Sequence, residues 1–172
     1  MINSAHEIPC AACAKDNNSC CQDVEVYVTV NDVIRISKAG YVNFFSFELP
    51  SIIYAPSCND PSWGKYVFHP DGSRRILLRK EEKKCFFLAE NGCLLPLAIR
   101  PLVCRIYPYL FTDKEISGIS NFCPISRMAD SRRILERMGM AVENIKRWHA
   151  QLYREIEREE WERVGVRELA AE

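Results

Sequence analysis

Nine cysteines in 172 residues constrain this chain more tightly than any other feature. They stand at Cys10, Cys13, Cys20, Cys21, Cys58, Cys85, Cys93, Cys104 and Cys123. What such a set does depends on compartment, because disulfides persist where the surroundings oxidise, and thiols or metal sites prevail where they do not. The first nine residues, Met1 to Pro9, contain no basic head followed by an apolar run. No secretory signal is therefore expected, and the chain reads as cytoplasmic. Disulfide staples lose their purpose there, and a metal becomes the expected use of clustered thiols.

Charge and hydropathy exclude more than they select. The 23 Lys and Arg balance the 23 Asp and Glu, so no global field draws the chain to nucleic acid or to an anionic membrane, and neither partner is expected. The longest apolar stretch, about 93 to 110, is interrupted by Pro96, Arg100, Pro101, Arg105 and Pro108, whereas ~20 apolar residues are needed to cross a bilayer. The length fits one domain over 1–172, with a metal-binding core over about 8–125 and a helical extension over about 126–166.

The pattern along the chain predicts an α+β fold: a small cysteine-rich, metal-organised domain with a short antiparallel β unit and a long C-terminal helix. Residues 9 to 23 carry small and turn-forming types without an apolar period and read as a knuckle that a metal would organise. Residues 24 to 30 alternate β-branched and polar types, as a short strand does. A helix is expected over about 32 to 39, capped by Asn31 or Thr29 and stopped by Gly40. Asp71-Gly72 between residues 66 to 68 and 75 to 79 signals a hairpin, with a third short strand over 85 to 88 before the Asn91-Gly92 turn. The segment around Cys104 reads as a short helix. From about 126 to 164 there is no proline, and Leu135, Met138, Val142, Ile145, Leu152 and Ile156 mark one face of a long helix. His149 sits in a gap of that face and reads as a packing residue.

The cysteines fall into informative contexts. Cys10-Ala-Ala-Cys13 has the spacing that lets two thiolates converge on one centre, a spacing shared with thioredoxin-like dithiols. Those dithiols follow a strand and open a long helix, whereas this pair is expected in a loop. Cys20-Cys21 is vicinal, and adjacent side chains splay apart, so both can ligate only a centre of several metal atoms or two centres close together. Cys85, Cys93, Cys104 and Cys123 each lie beside aromatic or turn residues that would shield a cluster from water. Arg100 and Arg105 bracket Cys104, where a guanidinium would lower thiolate pKa and offset negative charge.

The order CxxC, CC, Cys-Phe-x-Leu, Gly-Cys, Arg-Pro-x-x-Cys-Arg-x-Tyr-Pro, Cys-Pro resembles the YkgJ-like cysteine-cluster family, a CxxCxxxCC zinc- or iron-chelating domain. Matching positions run from Cys10 to Pro124 and include Arg100, Arg105 and Tyr107. The resemblance implies metal chelation by Cys10, Cys13, Cys20, Cys21, Cys85, Cys93, Cys104 and Cys123, with Arg100, Arg105 and Tyr107 around them. Six residues separate Cys13 from Cys20, more than the family's usual three or so. Cys58 has no counterpart and reads as a free thiol.

The expected function is binding of an iron–sulfur cluster, [4Fe-4S] in type, with an electron-transfer or redox role. Eight thiolates also suffice for two zinc sites of four cysteines each, so a structural zinc module acting in protein interaction is the alternative. A methylase-related cluster domain is a third reading, because flagellin lysine methylases contain a similar cluster. No Gly-rich nucleotide fingerprint and no radical-SAM spacing occurs, so a redox enzyme of this kind would need a protein partner to bring electrons.

Overall fold

A computed structural model describes residues 9–15, 20–22, 25–48, 77–78, 80–81 and 84–158. The architecture is α+β, as the pattern predicts, and its secondary structure is short until the last helix. Helix α1 spans Pro9–Lys15 and α2 spans Val30–Lys38. Among the described residues, eight strands follow as antiparallel pairs: β1 (Phe45–Ser46) with β2 (Leu77–Leu78), β3 (Lys80–Glu81) with β4 (Lys84–Cys85), β5 (Leu88–Ala89) with β6 (Gly92–Cys93), and β7 (Tyr109–Phe111) with β8 (Ile116–Ile119). Helix α3 (Leu102–Ile106) lies between the third and fourth pairs, and α4 (Ser131–Arg137) and α5 (Val142–Arg158) close the described chain.

Several of these elements differ from the expectation. Residues 9–15 are helix rather than knuckle, because Pro9 is preset for the first turn and three alanines are the strongest helix formers. Among residues 25 to 29 there is no strand, only extended chain with isolated pairing. The alternation was nonetheless real, since Val26 and Val28 are buried and Tyr27 is not. The Asp71-Gly72 turn lies outside the described residues. Leu77–Leu78 pairs with Phe45–Ser46. The strand expected over 85 to 88 splits in two at the Phe86-Phe87 turn.

The long C-terminal helix is broken at its one glycine. Gly139 adopts φ +81, its amide donates to Glu136 O at 2.9 Å, and the Met140 amide donates to Leu135 O at 2.9 Å. That hydrogen-bond pair is a Schellman ending, with buried Met140 packing near Leu135 as the motif favours. The Asn144 side-chain Nδ2 also donates to Gly139 O at 3.0 Å, tying the next helix to the turn.

Two apolar cores result. The first gathers Val33 and Ile36 of α2 with Phe44, Phe45, Phe87 and Leu95. The second gathers Leu102 and Ile106 of α3 with Leu135 and the buried face of α5, namely Ile145, Trp148, Leu152 and Ile156. Each fully buried aliphatic or aromatic side chain contributes roughly 1.5–3 kcal/mol. His149 packs as expected: its ring lies 5.0 Å from that of Tyr153, and Nε2 is 2.6 Å from Thr112 O.

A buried polar knot joins the two cores. Thr29 caps α2 and forms a capping box with Asp32, which is fully buried. The Asp32 carboxylate also accepts from the Leu102 amide at 3.1 Å, in the first turn of α3, and from Arg35. Arg35 Nη1 donates to Glu155 of α5 at 2.6 Å, and Thr29 Oγ1 donates to the same carboxylate at 2.7 Å. The helix that carries Cys104 is thus anchored at its start to both α2 and α5.

Candidate metal centre

Each of the eight described cysteines is placed by a different piece of local structure. Cys10 and Cys13 are three apart on α1 and share a face. α1 packs against β6, where Gly92 at φ +98 turns the chain past the Cys10 backbone. Cys20 and Cys21 form a turn, held beside β4 because the Cys85 amide donates to Cys21 O at 2.8 Å and Gln22 pairs with Lys84. Cys93 sits on β6 and Cys104 on α3. The Cys123 amide donates to Ser120 O at 3.0 Å, and Cys123 precedes a single 3-10 turn, Pro124–Arg127.

These segments converge. Cys10, Cys13, Cys20, Cys21, Cys85, Cys93, Cys104 and Cys123 all line one cavity of about 370 Å3, together with Arg100 and Tyr107. Cys21, Cys93 and Cys104 pack against the first core and Cys123 against the second, so the cavity lies at the junction of the two. Its remaining wall is largely apolar, including Phe87, Leu95, Val103 and Met140. Cys85 is buried and Cys20 exposed, so the site has a closed side and an open one.

Burial opposes thiolate formation at Cys10, Cys85, Cys93, Cys104 and Cys123. It is the main influence raising the pKa of Cys10, Cys93, Cys104 and Cys123 above the ordinary thiol value. Cys85 is raised first by hydrogen bonding with Cys21 and then by burial, and Cys20, which is exposed, is raised first by hydrogen bonding with Cys21. Two features counter this. Arg100 acts on Cys10, Cys93 and Cys104 and hydrogen-bonds Cys93. Backbone amides two residues on, at Phe87, Leu95 and Ile125, hydrogen-bond the sulfurs of Cys85, Cys93 and Cys123. An amide aimed at a sulfur favours its anionic form, which is the form that ligates metal.

The residues flanking the thiols take different places. Arg100 Nε donates to Leu95 O at 2.8 Å, which fixes the guanidinium among the thiols. Arg105 is 5% exposed, its Nε donates to Arg100 O at 2.6 Å, and its Nη2 has no partner among the described residues. Burial and then Arg35 lower its pKa, so it sits closer electrically to the polar knot than to Cys104. Tyr107 is raised by burial, hydrogen-bonds Ser120, and has Cys20, Cys123 and Cys13 around it. The amides aimed at the sulfurs, and Asp32, were not singled out by sequence reasoning. The Thr29-x-x-Asp32 spacing was the available signal for the second.

This donor set fits a soft, thiophilic metal: thiolate sulfur suits zinc and iron–sulfur centres and gives nothing to magnesium or calcium. Among the described residues, no three His, Cys, Asp or Glu side chains are already drawn together as a ready-made ion site. The sulfurs surround a space and do not meet at a point.

A family model described as "CxxCxxCC: Putative zinc- or iron-chelating domain" matches residues 9–124. The chain belongs to this family. The match begins with α1 and ends one residue past Cys123, so it takes in every thiol of the cavity. Comparison with curated proteins and with solved structures finds no match. Metal binding of the zinc- or iron-chelating kind is thus the family's property, and the cavity is where this chain gathers the matching chemistry. Among the described residues, no helix is long and apolar enough to cross a membrane.

Proposed function

We propose that the cavity holds an iron–sulfur centre, with ligands drawn from Cys10, Cys13, Cys20, Cys21, Cys85, Cys93, Cys104 and Cys123, and that the protein moves electrons. The observation that carries this reading is the shape of the thiol set: eight sulfurs around one cavity of about 370 Å3, walled by apolar side chains. A single zinc ion needs four sulfurs within about 2.3 Å of one point. A sulfide-bridged cluster is several atoms across and can be reached from the walls of a wider space. Vicinal Cys20 and Cys21 suit such a body better than they suit one ion.

When bound, the centre would supply one-electron chemistry at a potential set by its surroundings. The chain's own residues do the rest. Arg100 offsets thiolate charge, the amides of Phe87, Leu95 and Ile125 hold sulfur lone pairs in fixed directions, and the apolar wall keeps water from the closed side. The helical setting of Cys10-Ala-Ala-Cys13 removes the argument that this pair lies in a loop unlike a thioredoxin's. Its position among six further thiols favours ligation over dithiol exchange.

The test is spectroscopic. Protein isolated without oxygen is reduced with dithionite and its electron paramagnetic resonance recorded at low temperature. A signal that appears on reduction and returns after reoxidation supports an electron carrier. A silent protein that contains zinc and no inorganic sulfide refutes it and leaves a structural zinc module.

A further inference from the structure

We infer that residues 122–137 form the docking surface for an acidic one-electron carrier protein of the flavodoxin or plant-type ferredoxin class, beside the mouth of the cysteine cavity. The inference rests on the iron–sulfur reading above. The chain as a whole is electrically neutral, yet this stretch is not. Arg127, Arg132, Arg133 and Arg137 are all exposed, against Asp130 and Glu136. On α4, Arg133 and Arg137 lie on the side away from buried Leu135, and Arg132, one turn before Leu135, is exposed as well.

The apolar part of the surface lies with the charge. Phe122 is 93% exposed, an unusual position for a phenylalanine, and it lines the cavity that its neighbour Cys123 enters. Met128, 42% exposed, adds to it. Cys123 to Ile125 on one side of the basic stretch and Met138 and Met140 on the other all line the cavity, so the patch is bracketed by the site. Arg132 also acts electrostatically on Tyr109, another cavity-lining residue. An exposed aromatic on a stretch of net positive charge is the layout of a transient interface, where the aromatic packs and the charges steer. The surface is positive, so the partner is negative.

The chain has no flavin or nicotinamide fingerprint, so reducing equivalents must arrive on another molecule. In the step proposed, one electron leaves the carrier's reduced flavin or [2Fe-2S] group and enters this protein's iron–sulfur centre. No bond forms or breaks and no proton moves.

The test uses iron-loaded full chain and an acidic flavodoxin as probe, with affinity measured by calorimetry. Binding should weaken about tenfold or more between about 20 mM and about 300 mM salt. The double variant R132E/R133E should weaken it about tenfold at low salt with unchanged iron and sulfide content, and Glu136→Arg should tighten it. The gain in the last variant cannot come from misfolding. No binding at low salt, an affinity indifferent to these three changes, or tighter binding to vesicles rich in phosphatidylserine than to flavodoxin would each overturn the proposal. Calorimetric binding does not require a redox-active metal. Zinc in place of iron and sulfide, with charge-dependent binding intact, would therefore place the failure in the metal reading and not in the surface.

Discussion

Replacing Asp32 by alanine should destabilise this protein more than any surface change and should loosen the metal site with it. The carboxylate is fully buried and accepts from the Thr29 amide at 3.1 Å, the Leu102 amide at 3.1 Å and Arg35. Breaking a buried ion pair by removing one partner costs about 3–5 kcal/mol, and an orphaned buried amide costs about 1–3 kcal/mol. These terms overlap, since Arg35 keeps Glu155, so about 4 kcal/mol is the net expectation. With a urea dependence of about 2 kcal/mol per M, the unfolding midpoint falls by about 2 M. Asp32→Asn keeps one acceptor oxygen and should fall between the alanine variant and wild type. The assay is urea unfolding followed by circular dichroism, with bound metal measured in parallel. Because Leu102 opens the helix carrying Cys104, metal retention should fall in the same order as stability. A midpoint shift below about 0.5 M for the alanine variant would refute the claim that this carboxylate joins α2, α3 and α5.

Three further outcomes are expected. Gly139→Ala should cost about 1–2 kcal/mol, read as a lower melting temperature, because its backbone is left-handed at φ +81 and the new methyl would stand 2.9 Å from Leu97 Cδ2. Glu155 is pushed up by burial, but hydrogen bonds from Arg35, Gln151 and Thr29 outweigh this and leave it below the ordinary carboxylate value. A depressed folded-state pKa stabilises the protein above the unfolded value and stops doing so as pH falls through the folded one. The stability gap between wild type and Glu155→Gln should therefore hold at neutral pH and shrink below about pH 4.3, as acid titrations of both will show. Cys58→Ser should keep the wild-type metal content by elemental analysis, whereas Cys104→Ser should lose most of it.

The parts of the fold legible in sequence were those set by local chemistry. Thr29 and Gly40 delimit α2 through capping and a left-handed stop, and the segment around Cys104 forms the short helix Leu102–Ile106. Ile145, Leu152 and Ile156 are buried on α5 as their period requires, and Leu135 is buried on α4. What failed depended on context. Alanines around Cys10 and Cys13 form helix, but in the sequence they run straight into turn-forming residues that mask the signal. A glycine inside a helical period can be tolerated or can end the helix, and only tertiary space around Gly139 decides which. The Tyr109–Phe111 and Ile116–Ile119 hairpin was missed because its strands are short and lack strict alternation.

The candidate site was legible as a set of residues and not as a shape. Spacing and neighbours singled out the eight cysteines, and the chain brings all eight to one cavity. Arg100 and Arg105 look equivalent beside Cys104 in sequence. Three dimensions separate them, because the short α3 turns Arg105 towards Asp32 and Arg35 while Arg100 stays among the thiols. The amide donors at Phe87, Leu95 and Ile125 act through backbone geometry, which no side-chain pattern reports.

The most direct test of the central claim is the ratio of iron to acid-labile sulfide in protein purified without oxygen, compared between wild type and Cys104→Ser. Iron and sulfide in matching amounts, with a broad visible absorbance that the variant loses, is the predicted result. Zinc without sulfide in the wild type would contradict it.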